Sequence, residues 1–208
     1  DGPYVLAPSA ADRLLKLQVR IEPTPRLASG RMKVALAADH GGYELKKALQ
    51  ADPRSAQGHY RLGLVYLKTG QFSNAYQELS RSAELDPGIL DAQLKLGEFL
   101  FLGRQWDKAQ EKARLVLKKE PKNVEAHLLL GKTFAAARDF EKALWEINQA
   151  LQLDPQRVES HLILGNVYLV KGDRELAESS YRQALKVKED SVEARLAQLN
   201  VPPDFSVG

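Results

Sequence analysis

Small and apolar positions recur along this chain at a fixed interval. Gly63, Gly97, Gly131 and Gly165 lie 34 residues apart, as do Pro53, Pro87, Pro121 and Pro155. Leu62, Leu96, Leu130 and Leu164 precede the glycines, and Ala75, Ala109, Ala143 and Ala177 form a third ladder between them. Polar runs separate the apolar stretches inside each unit: Thr69-Gly70-Gln71, Gly103-Arg104-Gln105, Arg138-Asp139 and Lys171-Gly172-Asp173. A period of this length marks stacked supersecondary units that each lack a complete core of their own. The pattern predicts four helical hairpins, at 56–89, 90–123, 124–157 and 158–191, within an all-α domain spanning 40–200.

Each ladder has a mechanical cause. Glycine and alanine are needed where the two helices of a hairpin cross, since bulk there would force them apart. A mid-helix glycine costs about 1 kcal/mol relative to alanine, so the packing must offset it at every repeat. In Asp86-Pro87, Glu120-Pro121 and Asp154-Pro155 the proline cannot continue the preceding helix and favours a tight link to the next.

These residues resemble the tetratricopeptide-repeat family, whose units read as a large residue, Leu-Gly, an aromatic, a small residue, another large one and a terminal proline. The match runs from 56 to 189 as His59, Leu62-Gly63, Tyr66, Ala75 and Pro87, then His127, Leu130-Gly131, Phe134, Ala143 and Pro155, then His161, Leu164-Gly165, Tyr168 and Ala177. The second repeat departs from it with Gln93, Leu100 and Ala113, and the fourth ends in Glu189. The resemblance implies a right-handed helical solenoid. Val192–Leu199 copies Val158–Gly165 and is expected to be a capping helix with a more polar outer face. Leu45, Ala48 and Pro53 sit one period before Leu79, Ser82 and Pro87, so 43–51 is expected to be the second helix of a partial leading repeat.

The family also implies a function, the binding of a protein or peptide along the face built by the first helix of each hairpin. Carrying its groove positions over gives Tyr60, Leu94, Leu128 and Leu162, then Leu64, Glu98, Lys132 and Asn166, then Leu67, Phe101 and Leu169. The lining is mostly apolar and suits an amphipathic helix or an extended apolar segment. The alternative for individual leucines is packing between neighbouring repeats. A Lys/Asn/Arg clamp for a chaperone C-terminus is not reproduced, since only Lys132 and Asn166 remain. The repeat wording is similar to that of bacterial envelope proteins serving polysaccharide export, pilus assembly or secretion.

The first 39 residues carry no repeat. Pro3, Pro8, Pro23 and Pro25 suggest an irregular arm, in which Leu14, Leu15, Leu17, Val19 and Ile21 form an apolar segment able to fold back on the repeats or join a second copy. Residues 32–49, from Met32 through Asp39-His40 to Leu49, resemble the opening strand, loop and first helix of type B ribose-5-phosphate isomerases. That resemblance implies a sugar-phosphate role for Asp39 and His40, with an isomerase-derived fusion or remnant as the alternative reading. The family's downstream Cys or Ser and Gly-rich phosphate loop are not matched in this chain. Residues 201–208 read as a tail.

Composition narrows the remaining classes. At 44% apolar and 27% charged, the chain falls in the globular or repeat range. The net charge of +3 arises within residues 1–50, so no basic stripe marks a nucleic-acid face. Zero cysteines exclude disulfides and thiol chemistry, leaving cytoplasm and periplasm equally open. No run approaches a membrane span, and no export signal is read. His59, His127 and His161 repeat in register, which spreads them along the stack instead of converging them on a metal. With no nucleophile elbow, zinc helix or phosphate loop, neither catalytic, metal nor cofactor residues are expected. A regulatory repeat module for a separate enzyme is a further alternative.

Overall fold

The computed structural model describes residues 52–201 together with Tyr43, Leu45, Lys46, Lys47, Leu49 and Gln50. The arm at 1–39, Asp39 and His40 of the isomerase-like stretch, and the tail beyond Val201 lie outside the described residues. Nine helices follow among the described residues after position 52: α1 Ala56–Lys68, α2 Phe72–Leu85, α3 Leu90–Leu102, α4 Trp106–Lys119, α5 Val124–Ala136, α6 Phe140–Leu153, α7 Val158–Lys171, α8 Arg174–Val187 and α9 Val192–Leu199. No strand occurs among the described residues. No helix there is long and apolar enough to cross a membrane.

The turns explain why the hairpins form. Inside each one, the last residue of the polar turn bonds back to the first helix: Gln71 N to Tyr66 O at 2.9 Å, Gln105 N to Leu100 O at 2.8 Å, Asp139 N to Phe134 O and Asp173 N to Tyr168 O at 2.9 Å. This closure needs one left-handed residue. Gly70 (φ 73°), Arg104 (59°), Arg138 (62°) and Gly172 (101°) supply it, so two arginines hold a conformation that favours glycine. Between hairpins, the acidic residue before the proline turns the chain: Asp86 Oδ1 accepts from Gly88 N at 2.8 Å, and Asp154 Oδ1 from Gln156 N at 3.2 Å. Ser55, Asn123 and Ser191 then cap α1, α5 and α9.

The helices divide into two compact units, the first ending at Val116 and the second starting at Leu117. In the first, Leu49, Leu62, Tyr66 and Ala75 form one cluster, with Leu45, Leu67 and Phe99 packed against it. Leu45 and Leu49 thus dock on the first complete hairpin, as a leading second helix would. Leu79, Ala83, Ala92 and Leu96 form the next cluster, joining α2 to α3. A Cβ added at Gly63 would stand 2.8 Å from Leu79 Cγ, inside contact distance.

In the second unit α5 pairs with α6, α7 with α8, and α9 lies on α7 and α8. Ala143, Ile147, Ala150, Ala177, Tyr181 and Ala184 are fully buried. A Cβ at Gly131 would meet Ile147 Cγ1 at 2.6 Å, and one at Gly165 would meet the Tyr181 ring closer still. The outer face of α9 is mixed, with Glu193 and Arg195 exposed beside apolar residues. Ala194 is buried, but Val192, Leu196 and Leu199 are 63%, 48% and 80% exposed. Leu199 also stands one period after Gly165, where the complete hairpins have glycine.

Candidate functional site

The first helix of each hairpin carries the candidate binding positions, and their surroundings differ between the two units. In the first unit, Tyr60, Leu64, Leu67 and Phe101 are half-buried on α1 and α3. The Tyr60 hydroxyl donates to Asp91 Oδ2 at 3.5 Å. Burial pushes that hydroxyl's pKa up, and the Asp91 charge pushes it further. Glu98 is occupied by Lys95 at 2.8 Å.

In the second unit, Leu162, Asn166 and Leu169 are half-buried on α7. Lys132 of α5 reaches Glu159 at 2.9 Å, and Arg157 bonds both Glu125, at 2.7 Å, and Glu159, at 3.1 Å. Burial would raise the Glu159 carboxyl, but Lys132 and Arg157 together outweigh it and hold the group below the usual carboxylate range. Lys132 is therefore already matched within the molecule.

Leu94 and Leu128 correct the expected lining. They are 6% and 2% exposed, so they pack inside the repeats and offer no open surface. The histidines also have a definite role. His127 Nδ1 lies 2.7 Å from Glu146 Oε2, while its Nε2 donates to the Pro121 carbonyl at 3.1 Å. His59 repeats both contacts with Glu78 and Pro53. Each ties the two helices of its hairpin to the proline turn. In the second repeat the polarity reverses, and Lys112 donates to Gln93 Oε1 at 2.8 Å. Among the described residues no group of three or more His, Cys, Asp or Glu is placed to hold a metal.

Two features escape the repeat pattern. One is the Glu125–Arg157–Glu159–Lys132 network, whose only sequence signal is an acidic residue at the second place of α5 and α7. The other is a set of aromatics on second helices: Phe72 and Tyr76 line a shallow cleft with Phe99 in the first unit, and Trp145 is 58% exposed in the second. The cleft is uncharged, being completed by Ser73 and Gln77.

A tetratricopeptide repeat model matches residues 44–89 and 94–158, more than half of the chain, and a second one matches 158–191. The chain belongs to the tetratricopeptide-repeat family. The first of these matches includes residues 44–49, which the isomerase resemblance had claimed. No curated protein matches. Among solved structures, the chain is similar to TTC0263, a thermophilic TPR protein of Thermus thermophilus, at 20% identity and TM-score 0.67, covering 83% of this chain and 97% of that one. It is also similar to YrrB, described as a TPR protein with an unusual peptide-binding site, at 19% identity and TM-score 0.63, covering 92% and 100%. MamA from Desulfovibrio magneticus RS-1 gives 19% identity and TM-score 0.65 over 79% and 97%. At these identities the likeness establishes the fold, an all-α tetratricopeptide-repeat architecture.

Proposed function

We propose that the chain is a non-catalytic scaffold that binds an apolar segment of a partner protein on its first-helix face, within a bacterial envelope or assembly system. The observation that carries this reading is the charge pairing of that face. Half-buried Tyr60, Leu64, Leu67 and Phe101 in one unit, and Leu162 and Leu169 in the other, share their helices with Glu98, Lys132 and Glu159 or neighbour them, and each of these charges already has a partner. Such a surface gains from covering apolar area. YrrB, a TPR protein with an unusual peptide-binding site, supports the same use of the fold.

Affinity capture from the source cell, read by mass spectrometry, tests it. A partner retained by the parent chain and by Trp145→Ala, but lost with Leu64→Asp or Leu162→Asp, is the expected result. Equal capture by all four proteins would show that binding lies elsewhere.

A further inference from the structure

Two ionisable side chains outside the candidate binding positions are buried together. His127 of α5 and Glu146 of α6 are each 8% exposed; Nδ1 of the ring stands 2.7 Å from Glu146 Oε2, and Nε2 stands 3.1 Å from the Pro121 carbonyl. Both ring nitrogens thus face an oxygen that, as carbonyl or carboxylate, only accepts. A neutral imidazole has one N–H, whereas the two contacts need two hydrogens. With its hydrogen on Nε2, the ring turns the Nδ1 lone pair on the carboxylate. With it on Nδ1, the Nε2 lone pair meets the Pro121 carbonyl. Either tautomer replaces one bond by a repulsion at a buried site. A second hydrogen, carried by the ring or by the carboxyl, satisfies both contacts.

His59 repeats this geometry in the first hairpin, 2.6 Å from Glu78 and 3.1 Å from the Pro53 carbonyl. The other two hairpins avoid it. His161 bonds the Pro155 carbonyl at 2.9 Å, but Ser180 stands at the Glu146 place and turns to Leu176 O, so a neutral ring suffices. In the second hairpin Gln93 and Lys112 take the two places; Lys112 donates to Gln93 Oε1 at 2.8 Å, and Gln93 Nε2 donates to the Ala83 carbonyl at 3.3 Å. An ammonium and an amide need no further hydrogen. The charges around the pairs have other partners. Lys142, one turn before Glu146, is paired with Asp139, and at the start of α7, which packs on α5 and α6, Arg157 and Glu159 are bound to each other, to Glu125 and to Lys132. Near the first pair, Arg81 reaches Glu84 at 3.5 Å and Lys46 lies over the Tyr66 ring.

We propose that the His127–Glu146 and His59–Glu78 pairs are proton-binding sites, each holding one hydrogen beyond those of a neutral histidine and an ionised glutamate, and that this proton latches the two helices of its hairpin to the preceding proline turn. The first and third hairpins are then sensitive to pH, and the second and fourth are not. In the unfolded chain a histidine has lost its second hydrogen above about pH 6.5. The folded pair still holds it there, so the folded state binds more protons than the unfolded one, and stability falls as pH rises until the pair releases its proton.

The full chain tests this directly, by nitrogen NMR of the histidine rings and carbon NMR of the glutamate carboxyls at about pH 7.5, roughly one unit above the ordinary histidine value. Expected are two protonated ring nitrogens in His59 and His127, or a neutral carboxyl in their partners, beside a neutral His161 ring with its hydrogen on Nε2. Neutral rings facing ionised Glu78 and Glu146 overturn the proposal. A variant separates the proton from the tie. Glu146→Gln keeps the shape and donates from its amide to Nδ1 of a neutral ring, so the two helices stay joined without the extra proton. Urea unfolding between about pH 6.5 and 8.5 should show the parent's folding constant falling with pH more steeply than that of Glu146→Gln, by up to about tenfold per pH unit. An unchanged pH slope, which a purely mechanical tie predicts, overturns the proposal as well. If Glu146→Gln does not fold, the ring and carboxyl signals of the parent chain decide.

Discussion

The third and fourth hairpins share a backbone plan and differ in what holds it. In α5–α6, Gly131 admits Ile147, His127 bonds Glu146 and the Pro121 carbonyl, and Asp139 caps α6 by accepting from Lys142 N. In α7–α8, Gly165 admits the larger ring of Tyr181, while His161 keeps only its bond to the Pro155 carbonyl at 2.9 Å. Ser180 stands where Glu146 does and turns its hydroxyl to Leu176 O. Asp173 makes no side-chain cap on α8, and Ser160 Oγ is buried without a partner where the third hairpin has Ala126. The close glycine crossing is thus common to both, whereas the polar ties vary. The crossing defines the repeat, and the ties adjust the stability of each copy.

The largest expected effect comes from breaking the shared feature. Gly165→Ala should destabilise the protein by about 3 kcal/mol, and Gly131→Ala by less, because a buried aromatic ring yields less readily than an isoleucine. Urea unfolding of both variants checks the order, and equal, near-zero effects would contradict this packing. Next comes the tie. His127→Ala should cost about 2 kcal/mol, since it leaves buried Glu146 without its partner, and His161→Ala about half of that in the same assay.

Two substitutions should stabilise by making one hairpin resemble the other. Ser160→Ala removes an unsatisfied hydroxyl and should gain about 1 kcal/mol in urea unfolding. Arg138→Gly gives the third turn the residue that the fourth already has at φ 101°, with an expected gain of about 0.5 kcal/mol after glycine's entropy cost. The smallest effect is on pH dependence. The Glu159 carboxyl is depressed in the folded state, so its contribution is present above the ordinary carboxylate pKa and disappears as pH falls through the lower folded value. Lys132→Gln should lower the thermal midpoint at neutral pH and leave the strongly acid end less affected, which flattens the acid limb.

Period and spacing made the hairpins legible because Gly63, Gly131 and Gly165 answer to the same local steric demand in the first, third and fourth copies. The acid–proline turns were legible for the same reason. The histidine ties were not, because Glu78 and Glu146 lie on the other helix of their hairpins and no spacing rule announces the pair. Burial at the groove positions was equally hidden. Leu94 and Leu162 occupy the same place in their repeats, yet Leu94 is 6% exposed and Leu162 is half-buried, a difference that neighbouring side chains decide. The outward leucines of α9 also follow from its partners, since its small Ala194 is the residue that packs inward.

The central claim is that binding occurs on the first-helix face, and an amide NMR titration of the full chain with the apolar segment of a captured partner tests it most directly. The account predicts the largest shifts at Leu162, Asn166 and Leu169, with Trp145 and Leu176 on the second helices unmoved. Shifts centred on Trp145 and Leu176, with Leu162 and Leu169 unchanged, would contradict it.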